Sequence, residues 1–199
     1  KIPYNVNAVF VPAALTAISR LYHSGLLKTF LVNDTQFKQA NVMANIWKKN
    51  AHSHFKVTIA KKDILTSVER YADSVGVPNS INLASLDQQS ITFNAVSLDA
   101  QGLPIPVLNS DDGFAMLFTE PSEKELIQSM QASLNPYPVG LLTPVGMVVA
   151  NPVYASAVIQ KLFTNGHYHG AVIWSWQQAL FAAGLERQLL RDDLSLEVK

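Results

Sequence analysis

The sequence of 199 residues has no cysteine, no long apolar run and no excess of charge of either sign. Without cysteine the chain can form no disulfide, no thiolate metal site and no cysteine nucleophile. The apolar stretch at 145–150 is far shorter than the roughly 18 residues of a membrane span, so we expect no membrane segment. Fifteen basic residues balance fifteen acidic ones. No global field therefore draws the protein to nucleic acid or to an anionic membrane.

The composition indicates a well-buried chain with a neutral or locally recognised ligand. Hydrophobic residues make up 48% of the sequence and charged residues only 15%, so much of the chain must be covered, by itself or by a neighbour. The length fits a single domain over 1–199, or a part of a larger one. No phosphate-binding loop, dinucleotide fingerprint, zincin helix or Gly-x-Ser-x-Gly elbow is present. We therefore expect neither nucleotide chemistry nor serine hydrolysis, and no cofactor.

Apolar periodicity predicts a mainly helical chain. The predicted helices are 7–23, one capped by Asp34 or Thr35, 63–74, one behind a capping box at Ser122, a short one from 151–152 to 162, and 171–191. A short loop joins the first two, which predicts an antiparallel hairpin. The last helix is apolar nearly all round in its first half, so we expect other helices to enclose it.

One region departs from the helical pattern. Residues 91–98 alternate with a period near two and are followed by Gly102 and the proline-bearing segment 103–106, which together predict a small β-rich insertion near 91–118. Residues 135–151 hold several prolines and glycines among apolar side chains. This segment predicts an irregular loop that is packed rather than solvated, and such loops often line a site.

The stretch Tyr168–Gln177 has the chemistry of a sugar-binding surface. A polar turn with a glycine runs into a helix whose first turns carry Trp174 and Trp176. Indole faces pack on the C–H surfaces of sugars, while imidazole, phenol and amide groups bond hydroxyls. The alternative is that these are ordinary core aromatics at the start of a helix.

Several segments, in the same order, resemble the C-terminal catalytic domain of amylo-alpha-1,6-glucosidases, the glycogen-debranching branch of the six-hairpin glycosidases. The matching segments are Tyr4–Phe10, Gly113–Phe118, Leu141–Met147, Asn151–Tyr154 and Tyr168–Trp176. Asn5 stands where that family has glutamate, and Ser175 stands where it has proline. The spacing between His169 and Gly170 is one residue shorter than in the family.

The resemblance implies an alpha/alpha toroid of paired helices. A complete toroid needs about twelve helices, so about six predicted helices would form the later half of such a barrel. It also implies a glycoside hydrolase-like function on an alpha-glucan or related oligosaccharide, with the rest of the barrel, or a partner chain, completing the site. The implied substrate-binding residues are Asn7, Tyr168, His169, Trp174, Trp176 and Gln177. A helix cap is the alternative role for Asn7, and core packing is the alternative for Trp176.

Glycoside hydrolysis normally takes two carboxyl groups. By the correspondence with the family, both would fall outside residues 1–199. The nearest candidates inside the chain are Asp111 and Asp112, followed by Glu120 and Glu186, although Ser110–Gly113 has the composition of a turn. The alternative function is a noncatalytic helical module that binds a glycan or a protein, which Asn5 favours because a family carboxylate is missing there.

Two pairs of histidines offer weak metal-ligand spacing. His52 with His54, and His167 with His169, would each share a face only on an extended segment. Neither pair has a third ligand nearby in the sequence, so we expect no metal site.

Overall fold

A computed structural model describes residues 2–30, 34–76 and 89–195. About half of the chain is helical, with small antiparallel sheets, which is consistent with the expected mainly α class; the described residues show no toroid or barrel. The helices of the described residues are α1 Val11–Ser24, α2 Thr35–Phe55, α3 Lys61–Val75, α4 Asp112–Phe118, α5 Glu123–Ser133, α6 Ala157–Gln160 and α7 Ser175–Leu189, with a π-helical segment Asn5–Phe10 before α1. The strands are β1 Ile2–Pro3, β2 Lys56–Ala60, β3 Ser90–Asn94, β4 Ser97–Leu98, β5 Pro104–Ile105, β6 Leu108–Asn109, β7 Leu142–Thr143, β8 Gly146–Met147 and β9 Ala150–Asn151.

The predicted hairpin of the first two helices is confirmed. Helices α1 and α2 pack against each other, and Gly25 ends α1 in the left-handed conformation (φ 77°) that glycine adopts without strain. The hydroxyl of Tyr22 donates to Asp34 Oδ2 at 2.7 Å. The Tyr22 ring also stacks on Phe37 with the two planes 15° apart. These contacts join the end of α1 to the start of α2.

The predicted β-rich region pairs with a strand that the sequence analysis did not predict. The region also ends earlier than predicted. Strand β3 pairs antiparallel with β2, with Lys56 opposite Asn94 and Ala60 opposite Ser90. Strand β2 has only five residues and lies directly between two helices, so no turn residues in the sequence mark its ends. The last residues of the range 91–118 are helical, because the turn at Ser110–Gly113 opens α4 instead of another strand.

Two predicted helix starts are wrong. Asn151 caps no helix; it lies in β9, and its buried amide donates to the carbonyls of Pro138 at 2.8 Å and Gly140 at 2.7 Å. Helix α6 begins only at Ala157, behind a cap from Ser156. The last helix begins at Ser175 and not at 171, since residues 172–173 are extended and pair with the 148–149 backbone. That pairing also anchors the 135–151 loop, which is packed as expected.

Helix α7 is less enclosed than predicted. It packs side by side with α4, and the two run parallel, because the start of α7 meets Asp111 and its later turns meet Met116 and Thr119. Gly113 and Gly184 allow the close approach, since a Cβ on Gly184 would lie 2.7 Å from the Gly113 carbonyl oxygen. The opposite side of α7, at Trp176, Ala179 and Ala183, is exposed in the part of the chain that the structure describes.

The main core lies between α3, the β2–β3 sheet, α5 and the 135–154 segment, and includes Ile64, Phe93, Leu126 and Leu141. A second cluster joins the chain start to α2 around Tyr4 and Phe55. The capping box of α5 is present as predicted, with Ser122 and Glu125 bonded reciprocally. None of the described helices has the length and apolar character to cross a membrane.

Candidate functional site

A continuous row of aromatic rings crosses the surface of the protein, and we call it the aromatic strip. Its members, in spatial order, are His169, Tyr168, Trp174, Trp176, Phe114, Phe10 and Phe118. Each ring in this order lies 4.5 to 6.0 Å from the next, centroid to centroid. These separations are ordinary for interacting aromatic pairs, so each ring contacts the next one in the row.

Local structure places the rings of the strip. Trp174 is the extended residue just before α7, and Trp176 lies in the first turn of that helix. Phe114 and Phe118 are four residues apart on α4 and therefore share a face. Phe10, from the π-helical segment, contacts both of them, at 5.1 and 5.8 Å. The parallel packing of α4 and α7 thus aligns aromatic side chains from distant parts of the sequence.

The strip is open to solvent along much of its length. Tyr168 is 77% exposed, Trp176 is 49% exposed and Phe118 is 48% exposed. The ring centroids of Trp174 and Trp176 are 5.6 Å apart and their planes 26° apart, so the two indoles stack on each other. The alternative of core packing for Trp176 is therefore not what the structure shows. Exposed rings such as those of Tyr168 and Trp176 can stack on a flat apolar ligand surface.

A carboxyl group with an unusual pKa lies beside the strip. Burial, reinforced by the charge of Asp112, raises the pKa of Asp111 to about 6, against the opposing effect of a hydrogen bond from Gln177. The Gln177 amide donates to Asp111 Oδ1 at 3.1 Å. Asp111 as a whole residue is nevertheless partly exposed. Such a group can carry a proton into the slightly acidic range and is suited to proton donation.

Asp112 has different surroundings. It is 3% exposed, and its Oδ1 accepts from Asn94 Nδ2 at 2.9 Å. The same amide lies 3.1 Å from the Tyr4 hydroxyl. Burial, followed by the charge of Asp112 and a hydrogen bond to it, holds the pKa of Tyr4 well above its ordinary value. The Asp112 carboxylate is thus engaged inside the protein, where it joins α4 to the chain start.

The other predicted site residues are placed as follows. Tyr168, His169, Trp174 and Trp176 come together in the strip, whereas Gln177 is buried and directed at Asp111. Asn7 caps no helix: it lies within the π-helical segment, and its amide donates to the Pro3 carbonyl at 2.8 Å. Asn7 is three residues before Phe10 in the chain, and its side-chain amide is directed at Pro3.

The remaining acidic candidates lie elsewhere. Glu120 pairs with Arg187 at 3.1 Å, and Glu186 is an exposed residue of α7. His52 and His54 are both within α2, where residues two apart do not share a face. His167 bonds Thr164 at 2.8 Å. The described ranges hold no cluster of three side chains that could ligate a metal.

Two sizeable cavities lie away from the centre of the strip, and neither is lined by the predicted sugar-binding residues. One, of about 520 Å³, is polar and lies between α1, α2, the end of α4 and α7, with Phe118 at its edge. The other, of about 770 Å³, is more apolar and lies between the end of α3 and the 143–148 and 157–173 segments. Neither of these cavities brings Asn7 together with Trp174, so the candidate site of the described residues is the surface of the strip.

Sequence reasoning did not select the three phenylalanines of the strip. Phe114 and Phe118 have helical spacing, which was an available signal, but their meeting with Phe10 depends on how α4 packs. Compared with family models, curated proteins and solved structures, the chain shows no match to any of them. The residues of the site itself are therefore the basis for a proposed function.

Proposed function

We propose that this chain binds an alpha-glucan or a related neutral oligosaccharide along the aromatic strip, as the sugar-contacting part of a glycoside hydrolase-like protein. The observation that carries the proposal is the continuous row of rings, among which Tyr168, Trp176 and Phe118 are exposed and Trp174 is partly exposed. Sugar rings offer C–H faces that stack on such surfaces, and their hydroxyls need nearby donors and acceptors. Tyr168 and His169 supply those polar groups at one end of the strip.

The charge balance supports a neutral ligand for the strip. Fifteen basic and fifteen acidic residues leave no net charge, and the strip itself is formed by aromatic side chains. Exposing so many large rings in one row is unfavourable unless a partner covers them. A sugar chain covers them while keeping its hydroxyls in water.

The resemblance to the glycogen-debranching glycosidases gives the proposal its enzymatic form. By that resemblance both catalytic carboxyl groups would lie outside residues 1–199, so the assignment of Asp111 as the proton donor rests on its own chemistry. Its raised pKa keeps it partly protonated near neutrality. Hydrolysis also requires a second carboxyl group about 5 to 9.5 Å away. Asp112 is buried and engaged with Asn94, so this second group would come from the rest of the barrel or a partner chain.

A noncatalytic glycan-binding module is the second candidate. The observation that favours it is the buried state of Asp112, which leaves Asp111 without an accessible neighbouring carboxylate from its own turn. In this form the strip binds sugar and no bond is cleaved.

Calorimetric titration with linear alpha-1,4-glucans of two to seven glucose units tests binding. The proposal predicts that affinity rises with length until the strip is covered, because each added unit meets another ring. An affinity independent of length, or no heat at all, would contradict it. Release of reducing sugar from the same oligosaccharides separates the enzyme from the binding module.

A further inference from the structure

The polar cavity at the Phe118 end of the strip contains a cluster of charged side chains. Its charged lining residues are Arg20, Lys48, His52, Glu120, Glu125 and Arg187. The cavity volume of about 520 Å³ lies within the range of small-molecule sites. A charged side chain of this cavity can bind a ligand where it is not already paired within the protein.

Both carboxylates of the cavity are already engaged. Glu120 pairs with Arg187 at 3.1 Å, and Arg187 also donates to the carbonyls of Met116 and Thr119. Glu125 accepts from the Ser122 backbone N–H at 3.0 Å and from its hydroxyl at 2.7 Å. These groups therefore hold the cavity wall together.

The cations from the helical hairpin are different. Across residues 2–30, 34–76 and 89–195, the side chains of Arg20 in α1 and Lys48 in α2 are exposed, and neither makes an ion pair or hydrogen bond with the protein. His52 follows Lys48 by four residues and so lies on the same face of α2. Its ring meets the ring of Tyr4 at 5.7 Å and lies within electrostatic reach of Glu125. Three basic groups from two helices thus converge on one cavity, two of them with no protein partner.

We propose that this cavity binds the oxyanion group, phosphate or carboxylate, of a sugar residue. A guanidinium and an ammonium group together suit such an oxyanion, which accepts several charge-assisted hydrogen bonds. Phe118 belongs to both the aromatic strip and the cavity wall, so a sugar stacked there places its substituent beside Arg20 and Lys48. The sugar part of this assignment rests on the proposed function, whereas the oxyanion part rests on the cavity alone.

The test is a titration of the full chain with glucose 6-phosphate, glucuronate, inorganic phosphate and glucose, followed by NMR. The double variant Arg20→Gln with Lys48→Gln is expected to weaken binding of the sugar oxyanions about tenfold or more, because charge-assisted bonds are lost. Lys49→Gln is the matched control: it is exposed on α2 beside Lys48 but does not line the cavity. It should bind like the wild type. The two sugar oxyanions show whether phosphate or carboxylate is preferred.

Equal binding by the double variant and the Lys49 control would overturn the proposal, as would a lack of sugar-oxyanion binding by the wild type. Inorganic phosphate binding as tightly as glucose 6-phosphate would overturn the assignment to a sugar. Neutral oligosaccharides distinguish the two proposals. If they fail to bind while glucose 6-phosphate binds in an Arg20- and Lys48-dependent way, the cavity assignment holds and the strip function fails.

Discussion

The side-chain amide of Gln177 donates to Asp111 Oδ1 at 3.1 Å and so ties the first turn of α7 to the start of α4. The two residues are 66 positions apart in the chain. Their contact sets the register in which Trp176 meets Phe114, at 6.0 Å between ring centroids. The aromatic strip therefore depends on the packing of these two helices.

Asp111→Asn tests the raised pKa of this carboxyl. The pKa of Asp111 is about 6 in the folded protein and about 4 in an unfolded chain. As pH rises, the unfolded chain loses this proton before the folded protein does. The contribution of Asp111 to the free energy of unfolding is therefore complete below pH 4 and is lost as pH rises through 6. Asparagine has no charge and still accepts from Gln177. We expect it to raise the free energy of unfolding by about 1 to 3 kcal/mol at pH 7.5, with little effect at pH 4.

Urea unfolding at the two pH values measures this difference. Asp73→Asn serves as the control, because Asp73 is exposed near the end of α3. A pH-independent effect of Asp111→Asn would show that its carboxyl has an ordinary pKa.

Gly184→Ala tests the close packing of α4 and α7. The added methyl carbon would lie 2.7 Å from the Gly113 carbonyl oxygen and 2.9 Å from Met116 Cβ. We expect the free energy of unfolding to fall by about 1 to 3 kcal/mol, since overpacking forces the helices apart. Gly166→Ala is the control, because the nearest atom there is 3.7 Å away. Thermal unfolding of both variants is the measurement, and equal midpoints would argue against the close helix contact.

Tyr4→Phe tests the buried network beneath the strip. The Tyr4 side chain is fully buried. Its hydroxyl accepts a hydrogen bond from Asn94 and donates one to Asp112. Its removal takes one hydrogen-bond partner from the buried Asp112 and one from the partly buried Asn94, so we expect a loss of about 1 to 3 kcal/mol in the free energy of unfolding. Tyr168→Phe removes an exposed hydroxyl and should leave stability unchanged. Similar stability losses in both variants would disprove the assigned network.

Trp176→Ala tests the energetic share of the strip in glucan binding. An aromatic contact of this type contributes about 0.5 to 1.5 kcal/mol, so the affinity for maltoheptaose should fall by about two- to tenfold. Phe30→Ala is matched to it, since Phe30 is 79% exposed and lies outside the strip. Calorimetry of both variants, with circular dichroism to confirm folding, gives the result. An equal loss in the two variants would mean that the strip is not the binding surface.

Sequence patterns predicted the elements whose signals are local. Periodicity and end signals located α1, α2 and α3, and the Ser122 capping box located α5. Strand β2 and the extended residues 172–173 escaped prediction because only their partners, β3 and the 148–149 backbone, make them extended. The four strip residues within Tyr168–Trp176 could be predicted from the sequence. The roles of Phe10 and of the cations Arg20 and Lys48 could not be predicted, since their positions depend on how α1, α2 and α4 pack.

The three tryptophans permit a direct test within one molecule. Trp174 and Trp176 belong to the strip, whereas Trp47 packs against the cluster around Tyr4 and Phe55. Titration of the isotope-labelled chain with maltoheptaose, followed through the three indole N–H resonances, reports on each ring separately. The account predicts saturable shifts of the Trp174 and Trp176 resonances while that of Trp47 stays in place. Unmoved resonances of Trp174 and Trp176 at saturating sugar would contradict it.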